Sequence, residues 1–222
     1  ALERSGQADN TIVIYLSDHG DLLGDHGLIF KQVFYEQSVR VPLIIWGPNH
    51  IAPQRRAEMV ESIDLFSTIC DYAGAWEGEG RQGESLKPLL DNRTSEHRDA
   101  AFSENYFGKM VRTGEYKMVY YVGKPYGELY NLHDDPMEQH NLWDEMEGSP
   151  VKNRLKDRLL QWMTDTEDEL PRPARPGHQD YTPVHLAMER GGAVERSRQP
   201  WYLEDLMPLY DSWDLSEDGR LR

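Results

Sequence analysis

Two short apolar runs, TIVIYL over residues 11–16 and VPLIIW over residues 41–46, constrain the fold of this chain most. Both are dominated by β-branched, aliphatic and aromatic residues, and both are too short for a core helix, so each reads as a buried strand. The first starts after Asp9-Asn10 and ends at Ser17, and the second is closed by Gly47-Pro48. The segment between them carries Gly20, Gly24 and Gly27 among alternating charges, which is loop composition. It is long for a mere connection, and long ordered loops tend to carry function.

Residues 62–73 read as a helix, with Ser62 as N-cap, Gly74 as the stop, and Ile63, Phe66, Ile69 and Cys70 near one apolar face. Strand, loop, strand and helix in that order suggest the end of an α/β domain, drawn over residues 1–95. Residues 76–83, rich in Gly and Glu, read as a surface loop.

From residue 100 the character changes. Residues 101–104, 117–121 and 128–132 are strand-like and separated by turn residues, which implies a small antiparallel sheet. Residues 150–163 form the clearest helix: Ser149 caps it, Pro150 takes its first position, and Val151, Leu155, Leu159 and Trp162 make one apolar stripe. That stripe is expected to cover one face of the sheet, giving a second unit over residues 96–170. Residues 171–222 open with PRPARPG and show no periodicity. They read as an extended tail or arm, wrapped on its own domain or exchanged with another subunit in a homo-oligomer.

The 222 residues are enough for an ordinary core. A hydrophobic fraction of 38% with 28% charged residues is that of a globular chain. No run reaches the roughly eighteen apolar residues of a membrane span. Ala1–Asn10 is polar and reads as no leader, and the absence of an initial Met points to a start inside a longer protein. A net charge of −15 argues against nucleic acid as a partner, though one local basic pocket could still bind an anion. The single cysteine, Cys70, lies in the apolar stretch FSTIC and reads as a buried small hydrophobe.

Asp18 and His19 follow the first strand directly, where ligands bind in open α/β sheets. A carboxylate beside an imidazole can give two ligands to a hard divalent cation, and Gly20 lets the backbone turn away without crowding them. Lys31, at the loop's far end, fits either a contact to a sulfate or phosphate oxygen or a solvated surface lysine. His26, in Gly24-Asp25-His26-Gly27, fits either a site residue or a histidine bonded to loop backbone. No G-x-S-x-G motif and no phosphate-binding glycine loop is present.

The stretch from Thr11 to Lys31 (TIVIYLSDHGDLLGDHGLIFK) resembles the type I sulfatases of the alkaline-phosphatase superfamily. The segments YEQSVRVPLII at 35–45, DLF at 64–66, GESLKPLL at 83–90 and ELYNLHDDPME at 128–138, with Asn141-Leu142, follow in the family's order. Together they cover roughly residues 10–165. The resemblance implies the end of an alkaline-phosphatase-like α/β domain followed by a small antiparallel sheet and helix. It implies a sulfate-ester hydrolase with bound calcium, or another divalent cation such as magnesium or manganese. Asp18 and His19 look like metal ligands, Lys31 like the lysine that contacts sulfate and the catalytic aldehyde, and His26 like a further catalytic-site residue. Glu36 and Arg40 read as scaffold. The family's nucleophile is a formylglycine made in a C-x-P-S-R-type motif, whereas Cys70 is followed by Asp71-Tyr72-Ala73-Gly74. The expectation is therefore a C-terminal portion that lacks the nucleophile and is inactive alone. A phosphonate monoester or phosphodiester hydrolase shares these motifs, and a non-catalytic assembly module is the reading from another class.

Overall fold

A computed structural model describes residues 1–76 and 82–166. The expected arm over 171–222 and most of the Gly- and Glu-rich loop fall outside the described residues. The described elements are α1 (Leu2–Ser5), β1 (Val13–Leu16), α2 (Glu36–Val39), β2 (Leu43–Trp46), α3 (Asp64–Ala73), α4 (Lys87–Leu90), β3 (Ala100–Glu104), β4 (Gly108–Thr113), β5 (Tyr116–Tyr121), β6 (Gly127–Asn131) and α5 (Pro150–Asp165).

The first two strands form where the apolar runs lie, and they pair antiparallel, Val13 opposite Trp46 and Leu16 opposite Leu43. Burial departs from expectation. Among the described residues each strand pairs only with the other, and Tyr15 and Ile44 are 61% and 60% exposed. Only Ile14, Leu43 and Ile45 pack inward, against Leu65, Leu86 and Leu89.

Helix α3 starts at Asp64 with Ile63, not Ser62, at the cap position, and it ends on Gly74 in the left-handed conformation. Its orientation reverses the apolar-face expectation: Ile63, Phe66 and Ile69 are exposed, while Asp64, Ser67 and Thr68 are buried beside Leu65 and Cys70. The polar groups are inside because each has a partner. The Asp64 carboxylate accepts from the backbone N–H of Glu61 (2.7 Å) and Glu84 (2.9 Å) and pairs with Arg98. The Ser67 hydroxyl donates to the Gly83 carbonyl, and the Thr68 hydroxyl accepts from the Leu86 N–H. These bonds fasten the segment 83–86 to the helix, which accounts for the DLF and GESL motifs in structural terms.

The second unit is a meander in the order β3-β4-β5-β6, all antiparallel. Strand β4 is an addition to the three expected strands. Its sequence, GKMVRT, carries two cations and only two apolar residues, so no alternating signal reveals it. Helix α5 begins on the Ser149 cap, whose hydroxyl accepts from the Lys152 N–H, with Pro150 in the first turn. As expected, Leu155 and Leu159 cover one face of the sheet, packed on Ala100, Val111, Met118 and Leu129. Trp162 stacks on Phe102 at 5.0 Å between ring centroids.

The pleat turns alternate residues the other way. Met110, Val119 and Tyr121 pack against Phe34, and Tyr130 packs with Leu22, Val33 and Tyr35. The opposite face of the sheet therefore supports the loop between β1 and β2. A helix covers one side, and the site-bearing loop covers the other.

Candidate active site

Asp18 and His19 leave the end of β1 where the chain bends away from the strand. Gly20 makes this bend possible: a Cβ there would lie 1.8 Å from the Gln37 carbonyl oxygen, and its N–H donates to the Ser38 carbonyl at 2.8 Å. The two side chains converge. The Asp18 carboxylate is 84% exposed and lies 3.4 Å from Nε2 of His19. His19 Nδ1 lies 2.8 Å from the Gly20 carbonyl oxygen, which can only accept, so Nδ1 carries a proton and Nε2 is the nitrogen that faces the carboxylate. When that nitrogen is unprotonated, a divalent cation could be shared between it and the carboxylate oxygen. A histidine held through its second nitrogen by a backbone carbonyl is the usual support of a metal ligand. The His19 N–H hydrogen bond, with the charges of His19 and Lys31 behind it, holds the Asp18 carboxyl below the ordinary carboxylate range. Lys31 is exposed, and its charge reaches Asp18. The structure thus sets Asp18 and His19 side by side at the start of the loop that carries Lys31. Among the described residues no cluster of three or more His, Cys, Asp or Glu could hold a metal ion.

His26 is placed differently. Its backbone is left-handed (φ 56°), and its ring stacks on Tyr35 with centroids 3.7 Å apart and planes 5° from parallel. Its Nε2 is buried without a hydrogen-bond partner among the described residues. Burial lowers its pKa, with Lys117 adding to the effect and Asp25 and Asp135 opposing it, so the ring is neutral at pH 7.

Beneath this loop lies a buried ionic network that sequence reading missed. Lys117, fully buried on β5, pairs with Glu138 and with Glu36 (3.2 Å). Arg112 on β4 reaches both oxygens of Glu36, at 3.2 and 3.3 Å. The Glu138 carboxylate accepts the Glu36 N–H at 2.7 Å, tying the end of the ELYNLHDDPME segment to the start of α2. Burial raises the Glu36 carboxyl, but the charges of Lys117 and Arg112 outweigh it and the net shift is downward. At Glu138 burial wins over Lys117, and the pKa is raised. Glu36 is scaffold, as read from the sequence. Arg40 sits at its margin, 3.9 Å from Glu36 and mostly exposed.

Residues 24–165 match the family model described as N-sulphoglucosamine sulphohydrolase, C-terminal. The chain belongs to the sulfatases of the alkaline-phosphatase superfamily. The matched region holds His26 and Lys31 and begins just after Asp18-His19. An N-acetylglucosamine-6-O-sulfatase of Bacteroides thetaiotaomicron is 31% identical over 186 residues, covering 77% of this chain and 33% of the relative. A choline-sulfatase of Rhizobium meliloti is 37% identical over 154 residues, covering 66% and 30%. A solved structure in complex with its substrate, D-glucosamine-2-N,6-O-disulfate, superposes with a TM-score of 0.69 at 31% identity, over 77% of this chain and 37% of that one. A phosphonate monoester hydrolase of Silicibacter pomeroyi superposes with a TM-score of 0.67 at 25% identity, over 76% and 37%. The chain spans about a third of the length of these curated sulfatases and corresponds to their C-terminal portion.

Proposed function

We propose that this chain supplies, to a sulfate-ester hydrolase, the part of the active site that holds a divalent cation and one charged oxygen of the ester. The observation that carries this reading is the convergence of the Asp18 oxygen and the His19 Nε2, 3.4 Å apart, at the start of the loop that carries the exposed Lys31. Asp18 and His19 would hold calcium, or magnesium or manganese in its place. A cation bound there would polarise an oxygen of the sulfate group. Asp18 is ionised at neutral pH, so it needs to lose no proton to act as a ligand. Lys31, a compact charge on a flexible stem, neutralises a second oxygen. His26, neutral in its stack on Tyr35, would act beside Lys31 as a further site residue.

Two features support a shared site. The residue after Cys70 and those following do not fit the formylglycine motif, so these residues bring no nucleophile of that kind. The apolar faces exposed on β1, β2 and α3 (Tyr15, Ile44, Trp46, Phe66 and Ile69) are surfaces that a soluble domain normally covers. The 222-residue chain alone is accordingly expected to be inactive.

The likeness to a phosphonate monoester hydrolase makes the reaction class directly testable. The complete protein that carries this chain, assayed side by side on p-nitrophenyl sulfate and p-nitrophenyl phenylphosphonate, is expected to turn over the sulfate with the higher kcat/KM. The 222-residue chain is expected to turn over neither. A preference for the phosphonate would replace the sulfatase reading, and turnover by the chain alone would contradict the shared site.

A further inference from the structure

Lys31 sits on a backbone that does not hold itself. Phe30 before it and Gln32 after it both have left-handed conformations, with φ of 70° and 92°, and neither is glycine. Such conformations persist only where the surroundings over-determine them, and they cluster where a side chain must be aimed. Two separate ties bracket the lysine. On the upstream side, one carboxylate oxygen of Asp21 accepts from the N–H groups of Leu23 (3.0 Å) and Phe30 (3.1 Å). The Leu22 N–H donates to the Phe30 carbonyl at 2.9 Å, and Leu22 is itself anchored in the core beside Tyr35 and Tyr130.

On the downstream side the tie comes from the other unit of the fold. Asn105, in the turn between β3 and β4, donates from its side-chain nitrogen to the Gln32 carbonyl at 2.9 Å. Its amide orientation is fixed, because its side-chain oxygen accepts from the N–H groups of Phe107 (2.9 Å) and Gly108 (3.0 Å). Those donors demand an oxygen, which leaves the amide nitrogen to face Gln32. The turn is itself seated on the loop's own stem: a Cβ at Gly108 would lie 3.1 Å from the Phe34 ring.

We propose that Asn105 and Asp21 are positioning residues for Lys31, fixing the two left-handed residues on either side of it. This rests on the reading of Lys31 as the sulfate contact. It also gives the small sheet a role in the chemistry beyond packing, since its first turn sets where the lysine points. A displacement of about 1 Å in a substrate-contacting group can cost up to about 100-fold in rate.

Asn105→Asp separates this role from the turn's own needs. The aspartate keeps an oxygen for Phe107 and Gly108 but presents an acceptor to the Gln32 carbonyl. In the 222-residue chain, amide hydrogen exchange at Leu22 and Phe30 is expected to quicken severalfold in Asn105→Asp and in Asp21→Ala. Asp21→Asn, which retains an acceptor, is expected to preserve protection, and Val111 and Met118 in the sheet are expected to stay unchanged. In the complete protein, Asn105→Asp is expected to lower kcat/KM by about 10- to 100-fold, with no further loss on a Lys31→Ala background. Equal losses on both backgrounds, or unchanged exchange at Leu22 and Phe30, would overturn the proposal. If Lys31→Ala were fully active, the sulfate-contact reading would fall, while the exchange measurement would still decide whether Asn105 and Asp21 hold this segment.

Discussion

Lys31→Ala in the complete protein is expected to reduce kcat/KM for an aryl sulfate by about 100- to 1,000-fold, the usual cost of removing one preorganised group from a developing charge. The reason lies in the surroundings. The chain as a whole is strongly acidic, and Asp18 is an exposed carboxylate at the start of the same loop. On the proposed reading an anionic ester approaching that carboxylate needs a local positive charge, and Lys31 would supply one on the loop. Because the ammonium is exposed and the backbone around it is held by other residues, removing it is not expected to lower thermal stability. Inhibition by free inorganic sulfate is expected to weaken in parallel, since it binds through the same charge. Steady-state kinetics and a melting curve check both statements, and wild-type kcat/KM in the variant would remove Lys31 from the site.

Lys117→Met is expected to act in the opposite way, through stability. Lys117 has no exposed surface and lies between Glu138, also buried, and Glu36. Removing one member of a buried ion pair leaves the other uncompensated and typically costs about 3–5 kcal/mol. Here two carboxylates lose their cation, although Arg112 still reaches Glu36. The effect has a definite pH dependence. In the wild type the Glu36 pKa is depressed, so its contribution is present above the unfolded-state value near 4.5 and is lost as pH falls through the lower folded value. Without Lys117 the balance at Glu36 shifts toward burial, which raises its pKa, and Glu138, already raised, moves further up. Glu138 then favours the protonated form in the folded state more strongly and Glu36 loses part of its depression, so the deficit against wild type grows as pH rises above the unfolded value. The variant is therefore expected to be closest to wild type near pH 5 and furthest below it near pH 8, as read by denaturant midpoints. A cost independent of pH would show that the carboxylates do not depend on this lysine.

Much of the fold was legible where local rules act alone. Ser149 and Pro150 announce α5, its apolar stripe announces the face it covers, and Gly74 marks the end of α3. The strands at 13–16 and 43–46 were visible as apolar runs, but their burial was not, because it depends on surfaces the described residues leave uncovered. Helix α3 misleads for a related reason. Its Ile63, Phe66 and Ile69 stripe looks like a core face, while Asp64, Ser67 and Thr68 are buried through hydrogen bonds to segments up to 34 residues away, at Arg98. Strand β4 was hidden because Arg112, which looks like a surface charge, is drawn inward by Glu36, 76 residues earlier.

The site divides along the same line. Asp18, His19 and Lys31 could be picked out because they stand in a compact motif after a strand. Their supports could not. Asn105 acts on Gln32 from 73 residues away, and Glu138 acts on Glu36 from 102 residues away. Sequence displays the groups that face the substrate when they are close along the chain. It conceals the partners that fold places behind them.

The central claim is that Asp18 and His19 hold a divalent cation beside Lys31, and metal content tests it most directly. Elemental analysis of the complete protein, purified without chelator, is expected to find calcium, or magnesium or manganese in its place, and to find that metal lost from Asp18→Ala and His19→Ala while Lys31→Ala retains it. Undiminished metal in both ligand variants would contradict the account.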